Sequence, residues 1–261
     1  MRRLLLLVLL SLAGLWSVAA ATPPPPPERA RVPVLLELFT SEGCSSCPPA
    51  DRVLARLAKD QPIPGVEVLA LSEHVDYWNR LGWSDPYSAA LFSERQEAYA
   101  PNISGGRVYT PQAVVDGLLN LVGGDEAGLR RAMAAAADRP HGKLLLTLRE
   151  PAQPAAGAAI SLAVEASALP GDGELLVAVV EDDLISKVTA GENEGRVLPH
   201  AAVVRTLQRL GRTSNGAARE QVTLPLDKSW RRGALRVVAF VQERGQPVLA
   251  SGGLSLGAVA K

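Results

Sequence analysis

The chain has 261 residues with 27 basic and 27 acidic side chains, so its formal charge is balanced. No basic block with interleaved aromatic residues appears, which leaves a nucleic-acid partner without an electrostatic footprint. At roughly 150 residues per domain the length allows one large domain or two ordinary ones.

Arg2 and Arg3 open the chain, and an uncharged run from Leu4 to Ala21 follows. It ends on Val18-Ala19-Ala20-Ala21, the small-residue pattern that a signal peptidase accepts, so residues 1–21 are expected to be a cleaved export signal. An uncleaved anchor is the alternative, because the run matches the short end of a bilayer span. Pro23 to Pro27 cannot enter a packed core and predict a semi-rigid polyproline spacer over residues 22–30. No later apolar stretch reaches bilayer length, so no membrane span is expected after cleavage. The protein is then expected in the periplasm or outside the cell.

Residues 33–40, Pro-Val-Leu-Leu-Glu-Leu-Phe-Thr, form a short apolar run suited to a strand buried on both faces. A helix follows the Gly43-Cys44-Ser45-Ser46-Cys47 turn, with Ala50, Val53, Leu54, Leu57 and Ala58 on its apolar face and Arg52, Arg56 and Lys59 outward. Pro48 and Pro49 fit only its first turn. Val66 to Leu71 is a second buried strand, which makes the opening a parallel β-α-β unit. From Asp76 to Gly106 come turn signals and a helix from about Ser88 to Ala100. Ala113 to Val115 and Leu118 to Val122 predict a hairpin about Asp116-Gly117, and Asp125 can cap a last helix through Ala137.

From Lys143 the pattern changes to short β-forming runs separated by turns: Leu144–Leu148, Ile160–Val164, Leu175–Val180, Val203–Leu207, Val222–Leu226, Leu235–Val241 and Val248–Leu256. This predicts an antiparallel sandwich. The expected organisation is an α/β domain with a helical insertion over residues 31–140, followed by an all-β, sandwich-like domain over residues 141–261.

Cys44 and Cys47 are the two cysteines of the chain, at C-x-x-C spacing, directly after a strand and opening a helix. In that context the pair predicts thiol–disulfide chemistry. Unpaired N–H groups at the helix start stabilise a Cys44 thiolate, and Cys47, one turn in, is placed to attack a mixed disulfide and release the product. A structural disulfide, a metal site and a binding module that retains a degenerate redox fold are the competing readings. The metal reading, a metallochaperone included, lacks a second cysteine pair to complete a zinc centre. No cofactor and no metal are expected.

Other residues are candidates for the same site. Thr110-Pro111 precedes a strand; beside a C-x-x-C helix a cis bond there would present backbone to an extended substrate, against the ordinary trans form. The carboxyl ends of neighbouring parallel strands share one edge, which puts His74-Val75-Asp76-Tyr77-Trp78 on the side of Cys44. His74 or Asp76 is a candidate proton carrier, and Tyr77 with Trp78 a candidate cleft wall; a plain surface loop is the alternative. Glu37, on a buried strand, needs a partner or a proton and is a candidate acceptor for the Cys47 proton, with a salt bridge to an arginine as the alternative. The segment from Gly191 to His200 reads as turn chemistry or a contact between domains.

With these residues in hand the chain resembles the thioredoxin superfamily and, more closely, the secreted bacterial proteins of domain-of-unknown-function family 1223. Four blocks carry the resemblance: Leu36 to Asp51, His74 to Asp85, Tyr109-Thr110-Pro111-Gln112, and residues 191–205. It implies a thioredoxin-like fold with Cys44 nucleophilic, Cys47 resolving and Pro111 cis. The substrate expected is a protein or small-molecule thiol or disulfide, with a separate redox partner that the sequence does not identify. Gly43 stands where thioredoxin has a tryptophan, Ser45-Ser46 replaces Gly-Pro, and Glu37 lies one residue further from the first cysteine than thioredoxin's buried aspartate. The spacing from Cys47 to Pro111 is also longer, consistent with a helical insertion.

Overall fold

Why the first strand is buried on both sides is plain from its alternation. In β1 (Val32–Thr40), Val34, Leu36 and Leu38 point to one face, and Leu35, Glu37 and Phe39 to the other. The structure, a computed structural model, describes residues 30–149 and 159–257. The expected signal, residues 1–21, and all of the spacer but Ala30 lie outside them. No helix among the described residues is long and apolar enough to cross a membrane.

β1 leads through α1 (Cys47–Asp60) to β2 (Val66–His74), which pairs with β1 in parallel. A short helical turn at Asn79–Leu81 and α2 (Ala90–Ile103) follow. β3 (Gln112–Val115) runs antiparallel to β1 and turns into β4 (Leu119–Val122). Asp116 and Gly117 both take positive φ, at 49° and 65°, the hairpin geometry that an Asp-Gly pair favours. α3 (Glu126–Ala137) is capped by Asp125, whose side chain accepts from the Gly128 N–H at 2.9 Å.

The later strands are β5 (Lys143–Leu148), β6 (Ile160–Ser167), β7 (Glu174–Glu181), β8 (Leu184–Lys187), β9 (Val197–His200), β10 (Val203–Arg212), β11 (Ala218–Leu224), β12 (Leu235–Gln242) and β13 (Val248–Ser255). Sheet pairing does not stop at the boundary expected near residue 140. One eight-stranded sheet runs β13–β12–β7–β10–β2–β1–β3–β4 and so crosses it. The join is narrow: β10 meets β2 in parallel through Val203 opposite Ser72, and the Ser72 N–H donates to the Ala202 carbonyl at 2.7 Å.

The result is a mixed α/β fold on a large sheet. On one face α1 and α3 cover β1, β2 and β3, burying Leu36, Leu38, Val53, Leu57, Leu129 and Met133 together. On the same face, further along, the three-stranded sheet β11–β6–β5 packs its Ile160, Leu162 and Val164 on Val177, Val179, Val237 and Ala239. The expected sandwich is thus present as a packing of sheets, but one of its layers is the extension of the first sheet. The opposite face carries α2, whose Phe92 packs with Leu35, Leu71, Val180 and Phe240.

Candidate functional site

The site begins where β1 ends. After Thr40 the backbone turns, with the Cys44 N–H donating to the Ser41 carbonyl at 3.2 Å and the Cys47 N–H to the Cys44 carbonyl at 3.1 Å. Cys44 and Cys47 form a disulfide with their Cα atoms 5.4 Å apart. Pro48 and Pro49 occupy the first helical turn, where the N–H groups they lack would have had no helical acceptor. Ser46 gives no side-chain cap, and no acidic residue lies in that turn, so the positive end of α1 is left to the sulfurs. Cys44 is 1% exposed and Cys47 is fully buried, while Ser45 and Ser46 are exposed.

Two segments cover the cysteines. Asn193, in the loop between β8 and β9, donates from Nδ2 to the carbonyls of Glu42 and Cys44 at 2.8 and 2.9 Å. Beside it the Glu192 carboxylate accepts from the Ser45 N–H at 2.9 Å, and that backbone donor holds the carboxyl below its usual range. Trp78 lies on the other side. Its indole donates to Thr110 Oγ1 at 2.8 Å, and a Cβ on Gly43 would sit 3.2 Å from the Trp78 Cβ, so this glycine admits the close approach of the Trp78 Cβ and backbone.

Behind the cysteines lies a buried ionisable cluster. His74 Nδ1 pairs with Asp85 Oδ2 at 2.7 Å, and His200 Nε2 with Glu42 Oε1 at 2.9 Å. The two imidazole centroids are 5.1 Å apart, and Tyr87 stands edge-on to both. Asp51, four residues after Cys47, accepts from Thr40 Oγ1 at 2.7 Å. His74 Nε2 and His200 Nδ1 are buried without a hydrogen-bond partner. Burial raises the Asp51 carboxyl, more than the nearby His74 and His200 and the Thr40 hydroxyl lower it. Burial, the largest single influence, lowers His74, yet the Asp85, Asp51 and Glu42 carboxylates together outweigh it and the imidazole is raised. Asp85 is held below the usual carboxylate range despite its burial, by His74 and by the N–H groups of Glu42 and Tyr87.

The expected site residues divide. Thr110-Pro111 is a cis peptide, and a Cβ on Gly123 would lie 3.3 Å from Pro111 Cβ and 2.9 Å from Ala50 of α1. Thr110 and Trp78 are brought to the cysteine loop. Tyr77 donates to Gln96 at 3.1 Å and packs, half-buried, with Trp78 near Phe39 and Tyr99. Asp76 accepts from Ser93 of α2 at 2.5 Å, which ties it to the helix rather than to the sulfurs. His74 is fully buried and touches no open cleft; its place is in the cluster.

Glu37 is not brought to Cys47. Strand alternation turns it to the α2 face, away from α1, where Arg95 Nε donates to it at 2.5 Å and Tyr99 at 2.6 Å. The alternative of a salt bridge describes it. Sequence reasoning missed Glu42, Asp51, Asp85, Glu192, Asn193 and the cluster role of His200. For Asp51 a signal existed: it falls at the fourth position after Cys47 and beside Ala50 on the buried stripe of the helix.

Residues 35–242 match the model of the family described as "Protein of unknown function (DUF1223)". No curated protein matches. Among solved structures, a protein of Agrobacterium tumefaciens is 26% identical at a TM-score of 0.69, with 89% of this chain and 98% of that one covered. HBP35 of Porphyromonas gingivalis is 16% identical at a TM-score of 0.64, covering 87% of this chain and 76% of its own, a likeness of fold alone.

Proposed function

We propose that this chain, which belongs to the DUF1223 family, is an exported thiol–disulfide oxidoreductase that works through Cys44 and Cys47. The observation that carries the reading is the disulfide between them at the start of α1, directly after a strand that pairs in parallel with the next. A thioredoxin-like first half is supported by the order of elements. A parallel β1-α1-β2 unit is followed by the antiparallel β3–β4 pair and α3, with α1 and α3 on one face of the sheet. Export is supported by Arg2, Arg3 and the uncharged run from Leu4 to Ala21.

In the reduced protein the helix end stabilises a Cys44 thiolate. That thiolate attacks one sulfur of a substrate disulfide and expels the other as a thiolate, leaving the first joined to Cys44. Cys47 then attacks the Cys44 sulfur, re-forms the internal disulfide and releases the second substrate thiol. The substrate is a protein or small-molecule disulfide, and a separate reductant restores the dithiol. Run backwards, the same steps oxidise a substrate dithiol.

One observation favours a second reading. Both sulfurs are almost wholly buried, as they would be in a disulfide that only braces the turn of a binding module. A glutathione-coupled exchange assay on the mature protein separates the two. Cys44→Ser is expected to abolish turnover, and Cys47→Ser to accumulate a mixed disulfide with glutathione on Cys44. No turnover by the parent protein and no mixed disulfide in the Cys47 variant would leave the bracing role.

A further inference from the structure

We infer that Asp51 takes the proton of Cys47 when the mixed disulfide closes, and that His74 and His200 are the groups that set the charge around it. The inference rests on the redox reading above and names the proton path of that same site.

Three observations lead to it. First, Cys47 and Asp51 lie four residues apart on the buried face of α1. Side chains at that spacing are neighbours, and helical side chains lean toward the N-terminus, so Asp51 reaches back over the turn that holds Cys47. Second, the carboxylates of the cluster are not equally free. Glu42 accepts from the Trp83 indole on one oxygen and meets His200 with the other. Asp85 is filled by His74 and by the N–H groups of Glu42 and Tyr87. Asp51 accepts from Thr40 through Oδ1, and its Oδ2 takes no hydrogen bond from the described residues. Third, His74 Nε2 and His200 Nδ1 are buried polar atoms without partners, an arrangement that costs stability unless it serves another state of the protein. In the disulfide form the sulfurs carry no proton; reduction brings thiols to this place.

The groups that face Asp51 come from every element around it. They are Thr40 at the end of β1, His74 on β2, Asp85 beyond it, and His200 on β9. Burial keeps the Asp51 carboxyl raised, which suits an acceptor that must exchange a proton with a thiol.

The closing step balances as follows. Asp51 carboxylate removes the proton from the Cys47 thiol and becomes a carboxylic acid. The Cys47 thiolate attacks the Cys44 sulfur of the mixed disulfide, the Cys44–substrate S–S bond breaks, and the substrate leaves as a thiolate. That thiolate takes a proton from solvent, and Asp51 returns its own to solvent.

The test follows the reduced protein with glutathione disulfide between pH 5 and 9, quenched with acid and read by mass. Asp51→Asn, which keeps the shape and the Thr40 contact, is expected to form the Cys44–glutathione adduct normally. It should then close about 10²-fold more slowly near neutral pH, the usual scale for losing a general base. Asp51→Glu should restore part of the rate, and His200→Gln should move the pH profile of closure without removing it. Closure of Asp51→Asn at the parent rate with the parent pH profile would overturn the inference and leave the redox reading standing. Absence of any glutathione adduct on Cys47→Ser, together with no disulfide formed by the reduced parent, would overturn both. A second measurement needs no variant: the carboxyl carbon of Asp51, followed by NMR, should titrate at a different pH in the dithiol and disulfide forms. Identical titration in the two would also overturn it.

Discussion

Neighbouring residues on β2 open two different buried charge clusters. Glu73 and His74 are adjacent in sequence, so the strand turns them to opposite faces of the sheet. Under α2, Glu73 and Glu37 share Arg95, which is fixed further by Tyr99 and Gln242. Burial and the adjacent Glu37 carboxylate push the Glu73 carboxyl well above its usual value, while Arg95 stays charged because its neighbours, Glu37 foremost, together more than offset its burial. On the α1 face the carboxylates meet imidazoles instead; each cluster keeps two buried atoms without a hydrogen-bond partner, the Glu73 oxygens in the first and one nitrogen each of His74 and His200 in the second. The first cluster holds a permanent charge and braces the sheet. The second is built on histidine, whose ordinary range lies near neutrality, and it is the one beside the cysteines.

The largest expected effect lies in the first cluster. Arg95→Met strands the Glu37 carboxylate in the core and should cost about 3–5 kcal/mol in urea unfolding. On the bracing role it should leave the pH profile of cysteine closure unchanged, and a shifted profile would join the two clusters into one device.

A smaller loss is expected from His74→Gln, about 1.5–3 kcal/mol for a hydrogen bond to a charged group. Its sign with pH is defined. His74 is raised above 6.5, so its contribution is complete below that value and fades as pH rises through the folded-state value. Asp85 is lowered below 3.8, so its share is complete above that value and fades as pH falls. The gap in stability between parent and His74→Gln should therefore be widest between about pH 4 and 6.5 and narrow toward pH 9. A gap that does not vary with pH would remove the charge from the pair.

The smallest global effect belongs to Asn193→Ala, about 1 kcal/mol, since the Glu42 and Cys44 carbonyls it leaves can take up water. Locally it should matter more: the Cys44–Cys47 disulfide should be reduced faster by dithiothreitol. An unchanged rate would mean that the loop does not guard the sulfurs.

What the sequence made legible was local. The period of β1, the stripe of α1, the Asp116-Gly117 hairpin and the Asp125 cap each follow from neighbours within a few residues, and each is where it was expected. The sheet's continuity was not legible, because β2 and β10 meet at one register pair more than a hundred residues apart and no local pattern encodes that. β9 was hidden by Pro199, which weakens any strand reading. Asp51 read as one more polar residue near a helix start; its burial depends on His200 and Thr40, supplied by other elements. Glu37 was rightly seen as buried and in need of a partner, but the face it points to is decided by the strand's phase relative to α1.

The Asn193 bond to the Cys44 carbonyl spans 149 residues of chain. Synthesis runs from the N-terminus, at about 5–20 residues per second, so the cysteines emerge roughly 7–30 s before the side chain that clasps them. Over that interval the pair lacks its cover. Asn193, Glu192 and His200 close over the turn only after that later stretch of chain has been made. A chain cut before residue 193 would keep both cysteines and lose their cover.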